Sequence, residues 1–232
     1  MTELSRHHGH HLPFHRSPVP SSPLRRPLRW LSRALGRPRT GRSGPGGPGE
    51  LSAPAEAAVR GYLAHRPDAT VVVLGEGLGT GFGRLDNGRL TWLSVLPPGD
   101  AAARRLLLPD GPRRRTLDRP GTGADWPSLV AAPEHGVVVA VPDAPARLST
   151  VAVRELLAVC AARFPGGALV LDALPRWRAA AVLAAGRHPA VAAVRTRPVP
   201  AGAPSSGRPR RGWPWPVRTV VCEVRFAVRA AV

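Results

Sequence analysis

Short apolar runs alternate with longer stretches of mixed polarity from Leu51 onward. Three of the runs are continuously aliphatic and predict strands buried on both faces, as in a parallel sheet: Thr70–Leu74, Val137–Val141 and Ala168–Asp172. Less regular runs predict three further strands: Thr91–Val95, Val191–Arg195 and Arg218–Val228.

Helical spacing of apolar residues occupies the segments between several of these runs. A helix is predicted from Ala53 to His65, with Ser52 as its N-cap. A second begins at Ser149 and ends before Pro165, and a third covers 176–187. Strands that alternate with helices predict an α/β fold with a doubly wound, mostly parallel sheet.

The first fifty residues have a different composition. They carry nine arginines and repeated Pro, Gly and Ser, and the only acid before Glu50 is Glu3. Such a segment buries too little apolar surface to offset its ordering entropy, so 1–50 is predicted to be a disordered basic arm. The folded domain is expected at 51–232, with a flexible Gly/Pro/Ser loop at about 198–216. Within the arm, 28–36 could form a short basic amphipathic helix on an anionic surface.

The net charge of +18 at pH 7 rests entirely on arginine, since the chain contains no lysine. The absence of Lys, Ile and Gln is typical of a GC-rich genome, which supplies arginine without selection for a polyanion. The charge therefore predicts weak, non-specific polyanion contact through the arm. No apolar run reaches the ~20 residues of a membrane span, and no secretory signal is visible, so a cytoplasmic protein is expected.

A glycine-rich loop, Gly75-Glu76-Gly77-Leu78-Gly79-Thr80-Gly81, follows the first predicted strand directly. Glycines at this position let the backbone turn tightly and approach a ligand closely. In an open α/β sheet, the ligand crevice lies at these carboxyl ends of the strands. The loop has no lysine and is therefore not a P-loop.

The run DATVVVLGEGLGTGFGRLDNGRLTWLSVLPP resembles the first βα unit of the leucine carboxyl methyltransferase family, above all its bacterial branch with polyketide O-methyltransferases. That family shows a loop like LGxGLDTR, then FWRLDNG, then a strand ending WYDVDLP. Similarity continues in RRLLLPDGPR, VRELLAVCAARFPGGALVLDALPRW and PVRTVVCEVRF, and it covers about 57–178 and part of the C-terminus. The resemblance implies a Rossmann-like class I methyltransferase fold. In active members, it also implies methyl transfer from S-adenosylmethionine to a carboxylate or hydroxyl.

The departures from the family fall on its cofactor site. Gly79 and Gly81 replace the Asp and Arg of GLDTR, and Ser94 and Leu96 replace the two acids that end the second strand. An acid there binds the ribose hydroxyls, so Ser94 is expected to face the ribose instead. The residues predicted to bind S-adenosylmethionine, if binding is retained, are Gly75, Glu76, Gly77, Gly79, Thr80 and Ser94.

Three functions remain open at this stage. The first is an S-adenosylmethionine-dependent O-methyltransferase acting on a small-molecule acceptor. The second is a non-catalytic methyltransferase-like domain that has lost its cofactor. The third, less favoured, is an anionic-surface or nucleic-acid binder that uses the arm and either Arg113-Arg114-Arg115 or Arg208-Pro209-Arg210-Arg211. No residue is assigned a catalytic role, and the isolated His65, His135 and His188 indicate no metal site.

Overall fold

The computed structural model describes residues 49–118, 125–185, 188–200 and 218–228. The part of the chain that it describes contains one seven-stranded sheet. In chain order its strands are β1 (Thr70–Leu74), β2 (Thr91–Leu96), β3 (Arg114–Asp118), β4 (Val137–Val141), β5 (Ala168–Pro175), β6 (Val191–Pro198) and β7 (Thr219–Phe226).

The strands lie in the order β3-β2-β1-β4-β5-β7-β6. The first five in chain order are parallel, and in-register pairs such as Val72↔Leu93 join β1 to β2. Only β7 runs antiparallel to its neighbours, β5 and β6, among the described strands. This mostly parallel sheet confirms the predicted Rossmann-like fold of the methyltransferase type.

Six α-helices accompany the described strands. They are α1 (Ala53–Leu63), α2 (Gly81–Leu85), α3 (Pro98–Leu107), α4 (Ala144–Arg147), α5 (Thr150–Arg163) and α6 (Arg176–Ala185). Serine side chains set two of the boundaries: Ser52 Oγ accepts from the Ala55 amide, and Ser149 Oγ accepts from the Ala152 amide at 3.1 Å. Both N-caps are those that the sequence predicted.

The sheet separates two apolar cores. One holds β-strand side chains such as Leu74 and Val139 against α5 and α6, and the other packs Val71 and Val73 against α1. Strand β1 is buried throughout because helices cover both faces, as its continuous aliphatic sequence predicted. The sheet is thereby held rigidly beneath the loop that follows β1.

Two predicted features lie outside the described residues: the arm, apart from Gly49 and Glu50, and most of the loop at 198–216. None of the helices described is long and apolar enough to cross a membrane.

Candidate functional site

The glycine-rich loop leaves β1 at Leu74 and enters α2 at Gly81. Gly75 has φ +82° and Gly77 has φ +61°, so both adopt left-handed backbone that side-chain-bearing residues rarely take. The loop lies at the carboxyl end of the interior strand β1, and open α/β sheets bind their ligands at this edge. The loop stands where the sequence placed it, directly after β1.

The Glu76 side chain turns into the protein beneath this loop. Glu76 is 2% exposed. Its Oε2 accepts from Trp92 Nε1 at 2.9 Å and from Ser94 Oγ at 2.6 Å. It also lies 3.0 Å from Arg104 Nη2. The carboxylate is thus held by three donors of the chain itself.

Arg104 completes this buried cluster from α3 and is 1% exposed. Its Nη1 donates to two carbonyls of the glycine loop, Gly77 O at 2.6 Å and Gly79 O at 3.0 Å. Burial raises the pKa of the Glu76 carboxyl, while the Arg104 guanidinium opposes this shift. Residues Glu76, Trp92, Ser94 and Arg104 are called the floor cluster below.

Side chains from other parts of the protein pack closely against the loop glycines. A Cβ on Gly75 would lie 2.5 Å from Arg147 Nη1, so this guanidinium rests against the glycine. A Cβ on Gly81 would lie 3.1 Å from the Trp92 ring. At both glycines, another side chain of the protein fills the space that a Cβ would occupy.

The segment Gly49–Ser52, called the crossing segment, lies over the outer side of the loop. A Cβ on Gly79 would come within 3.2 Å of Gly49 O, which shows how closely the two backbones approach. The Glu50 carboxylate accepts from Thr80 N at 3.2 Å and from Thr80 Oγ1 at 3.0 Å. Its second oxygen pairs with Arg84 Nη1 at 3.2 Å. The Glu50 carboxylate therefore satisfies the hydrogen-bonding groups of Thr80 and Arg84 at the start of α2.

The crossing segment is fastened at β5 as well. Ser52 N donates to Asp172 Oδ2, and Ser52 Oγ donates to Asp172 Oδ1, both at 2.7 Å. Burial raises the pKa of the Asp172 carboxyl, and the two bonds from Ser52 oppose the shift.

The backbone is left-handed at two non-glycine residues near the carboxyl ends of neighbouring strands, Asp143 after β4 (φ +47°) and Ala173 in β5 (φ +56°). Strain of this kind costs of order 1–3 kcal/mol per residue and persists only where surrounding contacts impose it.

The structure brings the six predicted site residues together around one loop. Five belong to the loop, and Ser94 lies below it on β2, fully buried with its hydroxyl bonded to Glu76. Glu50, Arg104 and Arg147 were not among the predicted site residues. Arg104 begins RRLLLPDGPR, which resembles the methyltransferase family, but it lies on a helix that the pattern did not predict. Arg147 falls near the place of a family aromatic, and no role was predicted for its guanidinium.

The end of β2 presents no exposed acceptor for the ribose of S-adenosylmethionine. A ribose needs acceptors facing the crevice at the end of β2, but Ser94 and Leu96 are both buried there, at 0% and 2% exposure. The hydroxyl that would replace the acid already donates to Glu76. No group of three or more potential metal ligands occurs in the described ranges.

Comparison with solved structures finds proteins of the same architecture at low sequence identity. The N-methyltransferase NodS from Bradyrhizobium japonicum WM9 is 12% identical, with a TM-score of 0.47 over 75% of this chain and 94% of that chain. Human methyltransferase 10 domain containing protein is 12% identical, with a TM-score of 0.48 over 76% and 82% of the two chains. An rRNA methylase from Streptococcus thermophilus is 13% identical, with a TM-score of 0.43 over 73% and 94%.

This chain has a methyltransferase fold. The assignment rests on the sheet order and on the single antiparallel strand β7. No protein-family model matches the chain, and a comparison with curated proteins finds no match. The resemblance to leucine carboxyl methyltransferases stays a prediction.

Proposed function

We propose that the chain is a non-catalytic member of the S-adenosylmethionine-dependent methyltransferase class, whose crevice is filled by its own side chains. The observation that carries this proposal is the floor cluster. In it, Glu76 and Arg104 are both almost fully buried and are joined to each other, to Ser94 and to the loop carbonyls.

Cofactor binding would require this cluster to rearrange. A ligand hydroxyl could reach Ser94 only if Glu76 left its position, and Glu76 could leave only by separating from Arg104. Removing one partner of a buried ion pair leaves an uncompensated charge and costs about 3–5 kcal/mol. A cost of this size corresponds to a loss of affinity on the order of a hundredfold or more.

The hydrogen bonds of the crossing segment also support a crevice that does not bind S-adenosylmethionine. Glu50 satisfies Thr80 and Arg84, and Ser52 satisfies Asp172, so these polar groups at the crevice rim have partners within the chain. Polar groups paired in this way gain little from a ligand that offers the same bonds.

Isothermal titration calorimetry on the full chain tests the proposal. We expect no measurable heat with either S-adenosylmethionine or S-adenosylhomocysteine at millimolar concentration. An NMR titration of the Gly75, Gly77 and Gly79 amides provides a second readout, and these resonances should not shift. Saturable binding of either compound to the unmodified protein would overturn the proposal.

A second candidate is O-methyl transfer to a carboxylate or hydroxyl of a small molecule. The left-handed Gly75 and Gly77 directly after β1 favour it, because this backbone geometry suits close approach to a ligand. Methyl transfer relies largely on positioning, so it does not require a dedicated acid or base. Incorporation of labelled methyl groups from S-adenosylmethionine into a panel of aromatic acids and phenols, by the unmodified chain, would establish this candidate instead.

A further inference from the structure

Helix α3 has the reverse of the usual polarity. It packs against β2 and β3, and the residues buried on that side are Ala101 and Arg104. On its outer side, Leu106 is 83% exposed and Leu107 is 65% exposed. A helix that covers a sheet usually presents its apolar residues to the sheet and its polar residues to water. In α3 the arginine of the floor cluster takes the inner position, and the leucines are left outside.

The apolar outer surface of α3 is continuous. Ala102, Ala103, Leu106 and Leu107 are all exposed. Residues three and four apart on a helix are neighbours on its surface, so these four side chains form one patch. The two small residues lie towards the N-terminus of the patch, and the two large ones lie towards its C-terminus. This patch is called the α3 face. A contiguous apolar patch of this kind marks an interaction site, whereas a single exposed apolar residue does not.

The charged side chains that flank the α3 face are mainly acidic. Arg105 lies beside the patch on the same helix, and its guanidinium nitrogens lie 3.8 Å from both Asp110 and Asp118. Asp100, in the first turn of α3, is exposed as well. The two acids offset the charge of Arg105. The like-charge repulsion that a net charge of +18 creates elsewhere is therefore reduced at this face.

We propose that the α3 face binds the α3 face of a second copy of the chain, with the two helices antiparallel about a two-fold axis. In such a contact, each pair of residues occurs twice, once in each direction. The antiparallel arrangement brings the small end of one patch against the large end of the other. Ala103 then lies opposite the partner's Leu106, and Ala102 lies opposite the partner's Leu107. Small residues that face large ones allow the two surfaces to interdigitate without voids.

The size of the α3 face determines how stable this dimer is. A single helix of ten residues buries less than the ~800 Å² per partner of a standard interface. The dimer is therefore expected to be weak, and its population should depend on protein concentration.

Two other occupants fit the α3 face less well. Residues 28–36 of the arm carry leucines, but Pro27 and Pro38 restrict a helix to this short segment, which is marginal in water. An anionic lipid bilayer would be repelled by the exposed carboxylates of Asp100 and Asp110. A second copy of α3 supplies both the apolar surface and the matching sizes of side chain.

Sedimentation velocity of the full chain tests this proposal, at micromolar to millimolar concentrations and in enough salt to screen its net charge. We expect a monomer–dimer equilibrium. Leu106→Ser/Leu107→Ser should weaken dimerisation by about tenfold or more, because it removes most of the apolar area that the contact buries. The matched control, Val151→Ser/Leu183→Ser, removes two exposed apolar residues from α5 and α6 and should dimerise like the unmodified chain. Circular dichroism checks that both variants are folded.

An exchange of small and large residues tests the antiparallel contact itself. Ala103→Leu places a leucine opposite the partner's Leu106 and should weaken dimerisation, whereas Ala103→Leu/Leu106→Ala should restore it. A monomer at every concentration would overturn the proposal, and so would equal dimerisation of the α3 variant Leu106→Ser/Leu107→Ser and its control. A double exchange that dimerises no better than Ala103→Leu would rule out the antiparallel contact. A dimer that is lost when residues 1–48 are removed would overturn the proposal in favour of the arm.

Discussion

Glu76 and Arg104 meet beneath the glycine loop, where both side chains are almost fully removed from water. A buried ion pair gains little net stability over apolar residues, because desolvation offsets the attraction between the charges. The pair instead fixes the geometry of the site, because leaving either charge buried without its partner costs free energy. The pair fixes the positions of the Gly77 and Gly79 carbonyls through Arg104. At this scale, the floor cluster holds the loop through contacts within the chain.

The first prediction concerns Ser94. Ser94→Ala removes one hydrogen bond to a charged group and should lower the free energy of unfolding by roughly 1.5–3 kcal/mol. Ser94→Asp places a second carboxylate beside Glu76 in a buried site and should cost about 3 kcal/mol or more. Urea denaturation measures both values. The exposed Ser128→Asp is the control and should change stability by less than about 0.5 kcal/mol. A Ser94→Asp protein as stable as the unmodified chain would show that this residue faces open solvent.

The sequence predicted the position of Glu76 but not the direction of its side chain. Position followed from the glycine spacing after β1, which is a local signal. Direction depends on Arg104, which lies 28 residues further along the chain on α3. Helix α3 begins within Pro97-Pro98-Gly99, a sequence that is typical of a turn and concealed the helix. A partner that arrives from an unpredicted element cannot be assigned from spacing alone.

Individual elements show the same dependence on tertiary context. Strands β1 and β4 match their predicted bounds, because continuous aliphatic runs have few alternatives to burial in a parallel sheet. The edge strand β3 was not predicted, since Arg114 and Arg115 resemble a solvated charge run. Its main chain pairs with β2, and neighbouring Arg113 forms an ion pair with Asp86. Edge strands tolerate charged residues, so polarity there conceals a strand.

The crossing segment contacts both the loop after β1 and strand β5, where Asp172 is its anchor. Burial raises the pKa of Asp172, so the folded state holds its proton more tightly than the unfolded state. The Asp172 contribution to stability should therefore fall as pH rises from the ordinary carboxyl pKa of about 4 through the raised value.

Asp172→Asn removes this titration and keeps an acceptor for Ser52. We expect the unfolding free energy of the unmodified protein, minus that of Asp172→Asn, to decrease from pH 4 to pH 7 in chemical denaturation. Asp68→Asn is a control of opposite sign, because its hydrogen bond to Arg89 lowers the pKa of Asp68 and its contribution is lost as pH falls. A pH-independent difference for Asp172 would contradict the raised pKa.

At the scale of the whole domain, the crossing segment connects the start of α1 to the glycine loop and to β5. A variant that lacks 1–48 retains the bonds of Glu50 and Ser52 and should melt at the temperature of the full chain. A variant that lacks 1–52 loses the N-cap of α1 and both bonds to Asp172. Its melting temperature should drop by about 5 °C or more. Differential scanning fluorimetry distinguishes the two variants. Equal melting temperatures would mean that the crossing segment contributes no stability.

The distribution of charge over the whole molecule leads to the last prediction. Several domain arginines already pair with acids, among them Arg84, Arg89, Arg104 and Arg113. Residues 1–48, in contrast, contain nine arginines and the single acid Glu3. Contact with nucleic acid should therefore depend on this segment and on phosphates rather than bases.

We expect weak DNA binding without sequence preference, with a steep decrease in affinity as salt rises. Each phosphate neutralised on a duplex contributes about −0.9 to the slope of log K against log salt concentration. Removing 1–48 should reduce that slope by several units, up to about 8 if every arginine of the segment contacts a phosphate. Fluorescence anisotropy with two unrelated duplexes of equal length, at four salt concentrations, measures both quantities. A tenfold preference for one duplex would indicate base recognition instead. An unchanged slope after removal of 1–48 would place the contact on the domain.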